Sequence, residues 1–201
     1  ALGAVLAKQE GAGVFQLALN ENSITEEGFV EDEKYAASLQ SPRTHSRSAD
    51  PELVSSALEL FGYSGSDLSS DIPPAFANAG ANHLILGLNS RRALSAMDYQ
   101  LDAGREFMNG AGLVTVMLVY SEAAQLFHSR NPFASGGVYE DPATGAASAA
   151  FAGYLRDIQW GHGGAIDIVQ GEDMGSRSLI RAEWAESPGT SIRVSGAVRF
   201  L

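Results

Sequence analysis

The spacing of apolar and polar positions changes several times along the chain, and these changes divide its first third into elements. The segment "ALGAVLAKQEG" has helical character and stops at Gly11, so it predicts a helix. "GVFQLALN" alternates as a half-buried strand does, and we expect the following strand to pair with it across "NENS". "DPELVSSALELFG" predicts a second helix that is capped by Asp50 and ends at Gly62.

The remaining two thirds mix helical and strand patterns. "GYSGSDLSSDIPP" is rich in Gly, Ser, Asp and Pro and predicts a loop at a domain junction. "ANHLILGL" and "GLVTVMLVY" predict strands, with a helix over 93–101 between them. "AASAAFAGYLRDI" predicts a helix whose small side chains suit close wrapping by a sheet. The tail after it predicts three or four short strands.

Composition and charge narrow the classes of partner. The net charge is −11, from 13 basic and 24 acidic residues, so nucleic acid and anionic membranes are poor partners. The acidic run from Glu21 to Glu33 is interpreted as a solvated surface. The chain has no cysteine, which fits a cytoplasmic location and excludes disulfides and Cys-ligated metals. The longest apolar run, Gly112 to Tyr120, is too short to cross a bilayer.

Residues 137–149, "GVYEDPATGAASA", carry the main candidate chemistry. One interpretation is structural: Asp141 caps a helix, and Pro142 occupies its first turn, where a missing N–H costs nothing. The other is chemical: a carboxylate beside an open helix N-terminus handles protons on an anion bound there. The two interpretations are compatible, and the residues alone leave both open.

A family resemblance rests on this motif and its neighbours. "SRNPFASGGVYEDPATGAASAAFAGYL", then "VQGEDMGSRSLIRAEW" and "IRVSGAVRFL", resemble the second half of the PhzF-like phenazine-biosynthesis isomerases. "ALGAVLA" is similar to the helix that follows the family's "GHPT" motif. The resemblance implies an α+β fold of the diaminopimelate epimerase type, with two pseudo-symmetric lobes, each a curved sheet or barrel around a central helix. Residues 1–74 plus 190–201 would form an incomplete first lobe, and 75–189 the second lobe.

The resemblance also implies an activity. Family members transfer a proton without a cofactor on a small carboxylate, of the dihydro-hydroxyanthranilate type in phenazine biosynthesis and unknown in many relatives. It makes Asp141 the candidate catalytic residue, and Thr144, Gly145 and Ala146 the candidate anion-binding residues at the helix start. Where many relatives carry serine after the glycine, this chain has Ala146, so a hydroxyl donor is missing.

Three further side chains have candidate roles near the motif. His83 could approach the cleft and bind substrate, although a structural role fits it as well. Arg130 matches a family arginine that would position the motif loop or balance the charge of Asp141. Glu140 is expected at the surface or behind the site. A metal site is not expected, because the four histidines, His45, His83, His128 and His162, are scattered.

The family's principal acid/base glutamate, in a "SET"-like motif, and its partner histidine, in "GHPT", do not occur in this sequence. If the sequence were the whole molecule, we would expect it to be inert. Three explanations stay open: a chain without its first ~70 residues, which we prefer, a truncated gene product, or a member that has become a non-catalytic binding protein. A homodimer and a bound N-terminal fragment of the same protein are the candidate protein partners.

Overall fold

The structure is a computed structural model and describes residues 2–18, 23–31, 33–161, 163–185 and 187–199. The helices are α1 (Leu2–Glu10), α2 (Pro51–Phe61), α3 (Arg91–Ser95), α4 (Leu101–Gly110) and α5 (Gly145–Asp157). The strands are β1 (Gly13–Ala18), β2 (Ser23–Glu31), β3 (Lys34–Gln40), β4 (His45–Ser48), β5 (Ala75–Asn78), β6 (Asn82–Leu88), β7 (Thr115–Ala123), β8 (Leu126–Arg130), β9 (Pro132–Phe133), β10 (Val138–Glu140), β11 (Ala165–Gln170), β12 (Ser178–Glu183) and β13 (Arg193–Ala197). In the described ranges, no helix is both long enough and apolar enough to span a membrane.

One long sheet connects most of the strands, in the order β1-β2-β3-β13-β12-β11-β8-β7-β6-β5-β4. Neighbours are antiparallel except for β6 with β7 and β8 with β11. The predicted pairing of the first two strands is confirmed, with Gly13 opposite Gly28. The tail contains β11, β12 and β13, within the predicted number of strands.

The two central helices have different surroundings. Helix α5 packs against β4, β5, β12 and β13, and every residue from Ala147 to Arg156 is buried. This confirms the prediction of a small-residue helix wrapped by sheet, because the small side chains let strands approach on several sides. Helix α1 packs on β1, β2 and β3 and buries only Gly3, Ala4 and Ala7. The observed architecture is the predicted α+β arrangement of helices against a large sheet.

The boundary between the lobes differs from the predicted one. Strand β4 pairs with β5, and Ala57 and Phe61 of α2 are buried beside Leu84 and Leu86 on the outer face of β6. Residues 45–74 therefore pack with the second lobe rather than the first, because the apolar face of α2 is covered there. We use "first lobe" for α1, β1–β3 and β13, and "second lobe" for α2–α5 and β4–β12.

The predicted helix over 93–101 is wrong. Helix α3 ends at Ser95, the next four residues after Ala96 are not helical, and α4 starts at Leu101. The Arg130 guanidinium donates to the carbonyls of Ser95 and Met97, at 3.2 and 3.1 Å. These carbonyls are thus bound by a distant side chain instead of continuing a helix.

The helix predicted after Asp50 is confirmed, since Asp50 accepts from Glu52 N and Gly62 is left-handed.

The chain crosses between the lobes twice, between β3 and β4 and between β12 and β13. Ser41 N donates to Ile192 O, and Ile192 N donates to Ser41 Oγ, both at 2.9 Å. Arg156, near the end of α5, donates to Thr44 Oγ1 at 2.6 Å and to Thr190 O at 3.2 Å. The C-terminal turn of α5 is therefore tied to both crossings, which fixes its position relative to the first lobe.

Candidate active site

The start of α5 lies later than the sequence predicts. The helix begins at Gly145, and its N-cap residue, Thr144, makes no side-chain capping bond. Asp141 therefore does not cap α5, and Pro142 is not in its first turn, which corrects the structural interpretation of "EDPATG". The Asp141 carboxylate instead accepts a hydrogen bond from the Thr144 hydroxyl, at 2.5 Å. Without a capping side chain, the first-turn N–H groups of α5 stay available to another acceptor.

Gln170, at the end of β11, holds the loop before α5. Its side chain is fully buried, and its Nε2 donates to the carbonyl of Asp141 at 2.6 Å and to Thr144 Oγ1 at 3.0 Å. Its Oε1 accepts from Thr144 N at 3.2 Å. Gly171 follows with φ +74°, and a Cβ there would come within 2.9 Å of the Pro142 carbonyl. Gln170 thus binds the loop before α5, and Gly171 leaves room for its backbone. These contacts give a physical reason why the "EDPATG" and "QGEDMG" motifs occur in the same sequence.

Glu140 and Arg130 form a buried ion pair behind the loop. Both residues are less than a tenth exposed, and Arg130 donates from Nε and Nη2 to the Glu140 carboxylate, with the shortest contact 2.6 Å. Burial works against the charged guanidinium, but the Glu140 carboxylate outweighs it and raises the pKa of Arg130 above its ordinary value. Of the two positions expected for Glu140, the surface is wrong and the place behind the site agrees with the structure. Of the two roles expected for Arg130, the charge balance for Asp141 is wrong, because Arg130 pairs with Glu140, which leaves the positioning of the loop. The loop is also tied to Asn131, whose carbonyl accepts from Asp141 N at 3.0 Å.

A cavity of about 180 Å³ lies between the lobes at the start of α5. Its walls come from β2, β3, β12 and β13, with Ala143 and Gly145 on the side of α5. A Cβ on Gly145 would lie 3.7 Å from both Leu39 and Val194, so the helix start approaches the first lobe closely. A wider groove of about 960 Å³ shares Ala143 and Ser178 with the cavity. Of the predicted anion-binding residues, Gly145 lines the cavity, whereas Thr144 and Ala146 lie beside it.

Glu26 is the acidic residue in the wall of this cavity, and the sequence did not single it out. It is 4% exposed, while its neighbours Thr25 and Glu27 are exposed. The interpretation of residues 21–33 as a solvated run is therefore wrong at Glu26, because strand alternation turns every second side chain inward. That alternation was the signal available in the sequence. Glu21 and Asp32 lie outside the described residues.

His83 lies inside the second lobe and does not line the cavity. The side chain is fully buried on β6, and Nδ1 is 2.8 Å from Thr115 Oγ1, which also accepts from Asn131 Nδ2 at 3.1 Å. Burial lowers the pKa of His83 to about 4, so its neutral form prevails at pH 7. This geometry supports the structural role and gives the substrate-binding role no support.

Among the residues described, no group of three His, Cys, Asp or Glu could hold a metal ion; His162 is not among them.

The comparisons with known proteins agree with this architecture. A family model described as "Phenazine biosynthesis-like protein" matches residues 4–199. A predicted epimerase from Pseudomonas aeruginosa is 24% identical, with a TM-score of 0.81 over 98% of this chain and 69% of its own. A PhzF-family phenazine biosynthesis protein from Bacillus anthracis is 14% identical, with a TM-score of 0.75 over 98% of this chain and 71% of its own.

A more distant match is a probable proline racemase from Agrobacterium radiobacter, solved with bound carbonate, which is 13% identical with a TM-score of 0.62 over 98% of this chain and 62% of its own. No curated protein sequence gives a significant match. At these identities the solved structures establish the epimerase-like fold, and the family model covers nearly the whole chain. Because that match includes both lobes and the loop before α5, the chain belongs to the phenazine biosynthesis-like protein family.

Proposed function

We propose that this chain is an isomerase that moves a proton on a small carboxylate without a cofactor. The observation that carries the proposal is the start of α5, which has no side-chain cap and borders a cavity between the lobes at Gly145. Backbone N–H donors and the partial positive charge of a helix N-terminus favour an anion at this position. The same donors stabilise the negative charge that moves into the carboxyl group when the neighbouring carbon loses its proton.

The relatives support this choice over other uses of the fold. The family is that of the phenazine biosynthesis-like proteins, and the similar structures include a predicted epimerase and a probable proline racemase. The racemase was solved with carbonate, a small oxyanion, which is compatible with an anion site in this fold. Epimerases and racemases both move a proton at a carbon atom, which is the chemistry proposed here.

Asp141 is the residue that we propose for proton handling within the "EDPATG" motif. Its carboxylate is held by the hydroxyl of Thr144, next to the helix start, and its backbone is held by Gln170 and Asn131. These bonds fix one orientation of the carboxylate, as a general acid or base requires. The proposed anion site, at Gly145, lies four residues further along the chain.

Exchange of substrate protons with deuterated water tests this function. Because the family's acid/base glutamate and its partner histidine do not occur in these 201 residues, the chain is tested together with an N-terminal segment that supplies them. The protein is incubated in deuterated buffer with small carboxylates that carry an acidic C–H bond, including proline and a dihydro-hydroxyanthranilate, and loss of the C–H signal is followed by proton NMR. We expect exchange with at least one of these compounds. Asp141→Asn should lower the exchange rate at least ~10²-fold, the usual scale for the loss of a general acid or base.

Asp102→Asn is the matched control, because the Asp102 side chain is 92% exposed on α4 and pairs only with Arg105 among the contacts described. It should exchange protons at the rate of the unsubstituted chain. Circular dichroism should show the same fold for both variants. If Asp141→Asn keeps a near-native rate, Asp141 serves only to hold the loop.

The alternative is a non-catalytic protein that binds a small molecule on the same scaffold. Two observations favour it: Asp141 does not line the cavity, and Ala146 contributes no hydroxyl at the helix start. Binding of a carboxylate would fit both functions and does not separate them. A chain that binds a carboxylate but exchanges no proton with any compound in the series would establish the alternative.

A further inference from the structure

The short helix α3 is anchored in the core of the second lobe. It packs on β6, β7 and β8, and its Leu94 side chain is fully buried among apolar residues of β6 and β7. Ser90 caps the helix, since its hydroxyl accepts from Ala93 N at 3.1 Å. The position of α3 is therefore set by the core and does not depend on the motif loop.

Arg130 ties the end of α3 to the segment before the motif loop. Its guanidinium donates to the carbonyls of Ser95 and Met97 and also to the carboxylate of Glu140. Glu140 directly precedes Asp141 in the chain. One end of the loop is therefore held, through a buried arginine, against the end of α3.

Arg91, the first residue of α3, binds the turn on the other side of the loop. This turn, residues 171–176, joins β11 to β12, and a backbone hydrogen bond of 2.9 Å closes it between its first and last residues. The Nη2 atom of Arg91 donates to Asp173 Oδ1 at 3.0 Å and to Glu172 Oε2 at 3.3 Å. One side chain of α3 therefore contacts both acidic residues of the turn.

Two other basic side chains approach Glu172, but among the residues described only Arg91 also reaches Asp173. Arg177 Nε lies 3.4 Å from the Glu172 carboxylate, but Arg177 directly follows the turn and does not connect it to another element. His128 Nδ1 lies 3.5 Å from the same carboxylate, at the outer limit of a hydrogen bond. The pair of Arg91 with Asp173 is therefore the contact that fixes the turn to α3.

The turn in its place touches the motif loop. Gln170, immediately before the turn, bonds to the Asp141 carbonyl and to both the N–H and the hydroxyl of Thr144. A Cβ on Gly171 would come within 2.9 Å of the Pro142 carbonyl, so the backbone of the turn lies against the loop. A displaced turn would therefore move the Thr144 hydroxyl, which holds the Asp141 carboxylate.

We propose that Arg91 is a positioning residue for Asp141 and acts through Asp173 and the turn. Together, Arg91 and Arg130 tie the segments on both sides of the loop to one anchored helix, which keeps the Asp141 carboxylate in one orientation. The side chains of Arg91 and Asp173 are only 32% and 19% exposed, so water screens this pair less than a fully exposed one. This inference rests on the proposed function for the role of Asp141 in proton transfer.

Amide hydrogen exchange at Thr144 tests the proposal without an activity assay. The Thr144 N–H donates to Gln170 Oε1, so its exchange with deuterated water reports on the bond that the turn holds in place. By NMR at pH 7, Arg91→Gln should speed this exchange at least ~10-fold, the scale of a lost hydrogen bond to a charged group. Amides in the paired strands β2 and β3 should keep their rates. Unchanged exchange at Thr144, or an equal rise in β2 and β3, would overturn the proposal.

Two further substitutions assign the effect to the ion pair. Arg92→Gln changes the next residue of α3, whose exposed side chain has no partner among the contacts described, and should leave the Thr144 rate unchanged. Asp173→Asn should also speed the exchange, and the double variant should exchange no faster than Arg91→Gln alone, because both substitutions remove the same pair. An equal rise with Arg92→Gln, or additive effects of the other two, would reject the path through Asp173.

The proton-exchange assay with substrate separates this inference from the proposed function. Arg91→Gln should lower the turnover rate about 10-fold, because small displacements of a catalytic group cost rate. KM should stay near its unsubstituted value, since the proposed anion site at Gly145 is not altered. Faster amide exchange at Thr144 in a protein that exchanges no substrate proton supports the tie to the loop and rejects the isomerase. Undiminished turnover in Arg91→Gln supports the isomerase and rejects the positioning role.

Discussion

The two lobes contain similar central helices that are buried to very different extents. "ALGAVLA" in α1 and "GAASAAFAGYL" in α5 are both rich in small residues. Strands surround α5 on several sides and bury it from Ala147 to Arg156, whereas α1 lies on β1–β3 and leaves Leu2 half exposed. Small-residue composition therefore permits wrapping by a sheet but does not by itself produce it. The number of strands that reach the helix decides how much of it is buried.

The ion pairs of the two lobes also differ in how deeply they are buried. In the second lobe, Arg130 and Glu140 form an ion pair that is almost inaccessible to water. In the first lobe, Arg193 pairs with Glu27, and with Glu183 on the adjacent second-lobe strand β12, where all three side chains are more than a third exposed. Exposed pairs contribute little to stability, while a broken buried pair leaves an uncompensated charge. We therefore expect the second lobe to be more sensitive to substitution.

The largest expected difference concerns the two central helices. Phe151 of α5 is fully buried, with its ring edge-on to Phe127 at a centroid distance of 5.1 Å. Phe151→Ala should lower the free energy of unfolding by about 4 kcal/mol, because it removes the buried ring and leaves a cavity. Leu2→Ala on α1 should change it by less than about 0.5 kcal/mol, since half of that side chain is already in water. Urea denaturation of both variants measures the difference; similar losses would show that α1 is as tightly packed as α5.

The next effect concerns the ion pairs. Glu140→Gln should cost about 3 kcal/mol in the free energy of unfolding, because the buried Arg130 guanidinium loses its counter-charge. Glu183→Gln, which removes one exposed partner of Arg193, should cost less than about 1 kcal/mol. The same urea titrations measure both values. A loss below about 1 kcal/mol for Glu140→Gln would mean that Arg130 is satisfied by the carbonyls of Ser95 and Met97 alone.

Local sequence patterns were sufficient for the elements whose stabilising contacts are local or strongly periodic. The Asp50 cap and Gly62 stop bracket α2, and the apolar runs of β6 and β7 are strands as predicted. The helix predicted over 93–101 failed because Arg130, more than 30 residues away in sequence, binds the carbonyls that would have continued it. A pattern within one segment contains no information about such a distant donor.

In the candidate site, too, the sequence predicted the local features and missed those that depend on distant contacts. The motif loop and Gly145 were found from the sequence, and the structure brings Gly145 to the cavity. Gln170 was missed as the residue that holds the loop, because its bonds to Thr144 span 26 positions. Glu26 was missed because the charge of residues 21–33 outweighed the alternation that buries it. Which strand faces of an acidic segment point inward depends on the partner strands, and these are set by the tertiary fold.

The smallest of the expected effects is a dependence of stability on pH that arises in the second lobe. Burial lowers the pKa of His83 to about 4, below the ordinary histidine value of 6.5 that the side chain regains on unfolding. Between these two values the unfolded chain binds a proton that the folded chain does not, so stability falls as the pH decreases from about 6.5 towards 4. Between pH 7 and pH 5 the contribution of His83 should amount to about 2 kcal/mol.

Two histidine variants isolate this contribution. His83→Gln should lower stability at pH 7 but remove most of the loss between pH 7 and pH 5, because no titrating group remains beside Thr115. His45→Gln, on the exposed side of β4, should leave that loss as large as in the unsubstituted chain. The measurement is the free energy of unfolding in urea at both pH values for the three proteins. If His83→Gln keeps the full loss, the acid sensitivity arises from other groups, and the buried histidine takes up its proton without cost to the fold.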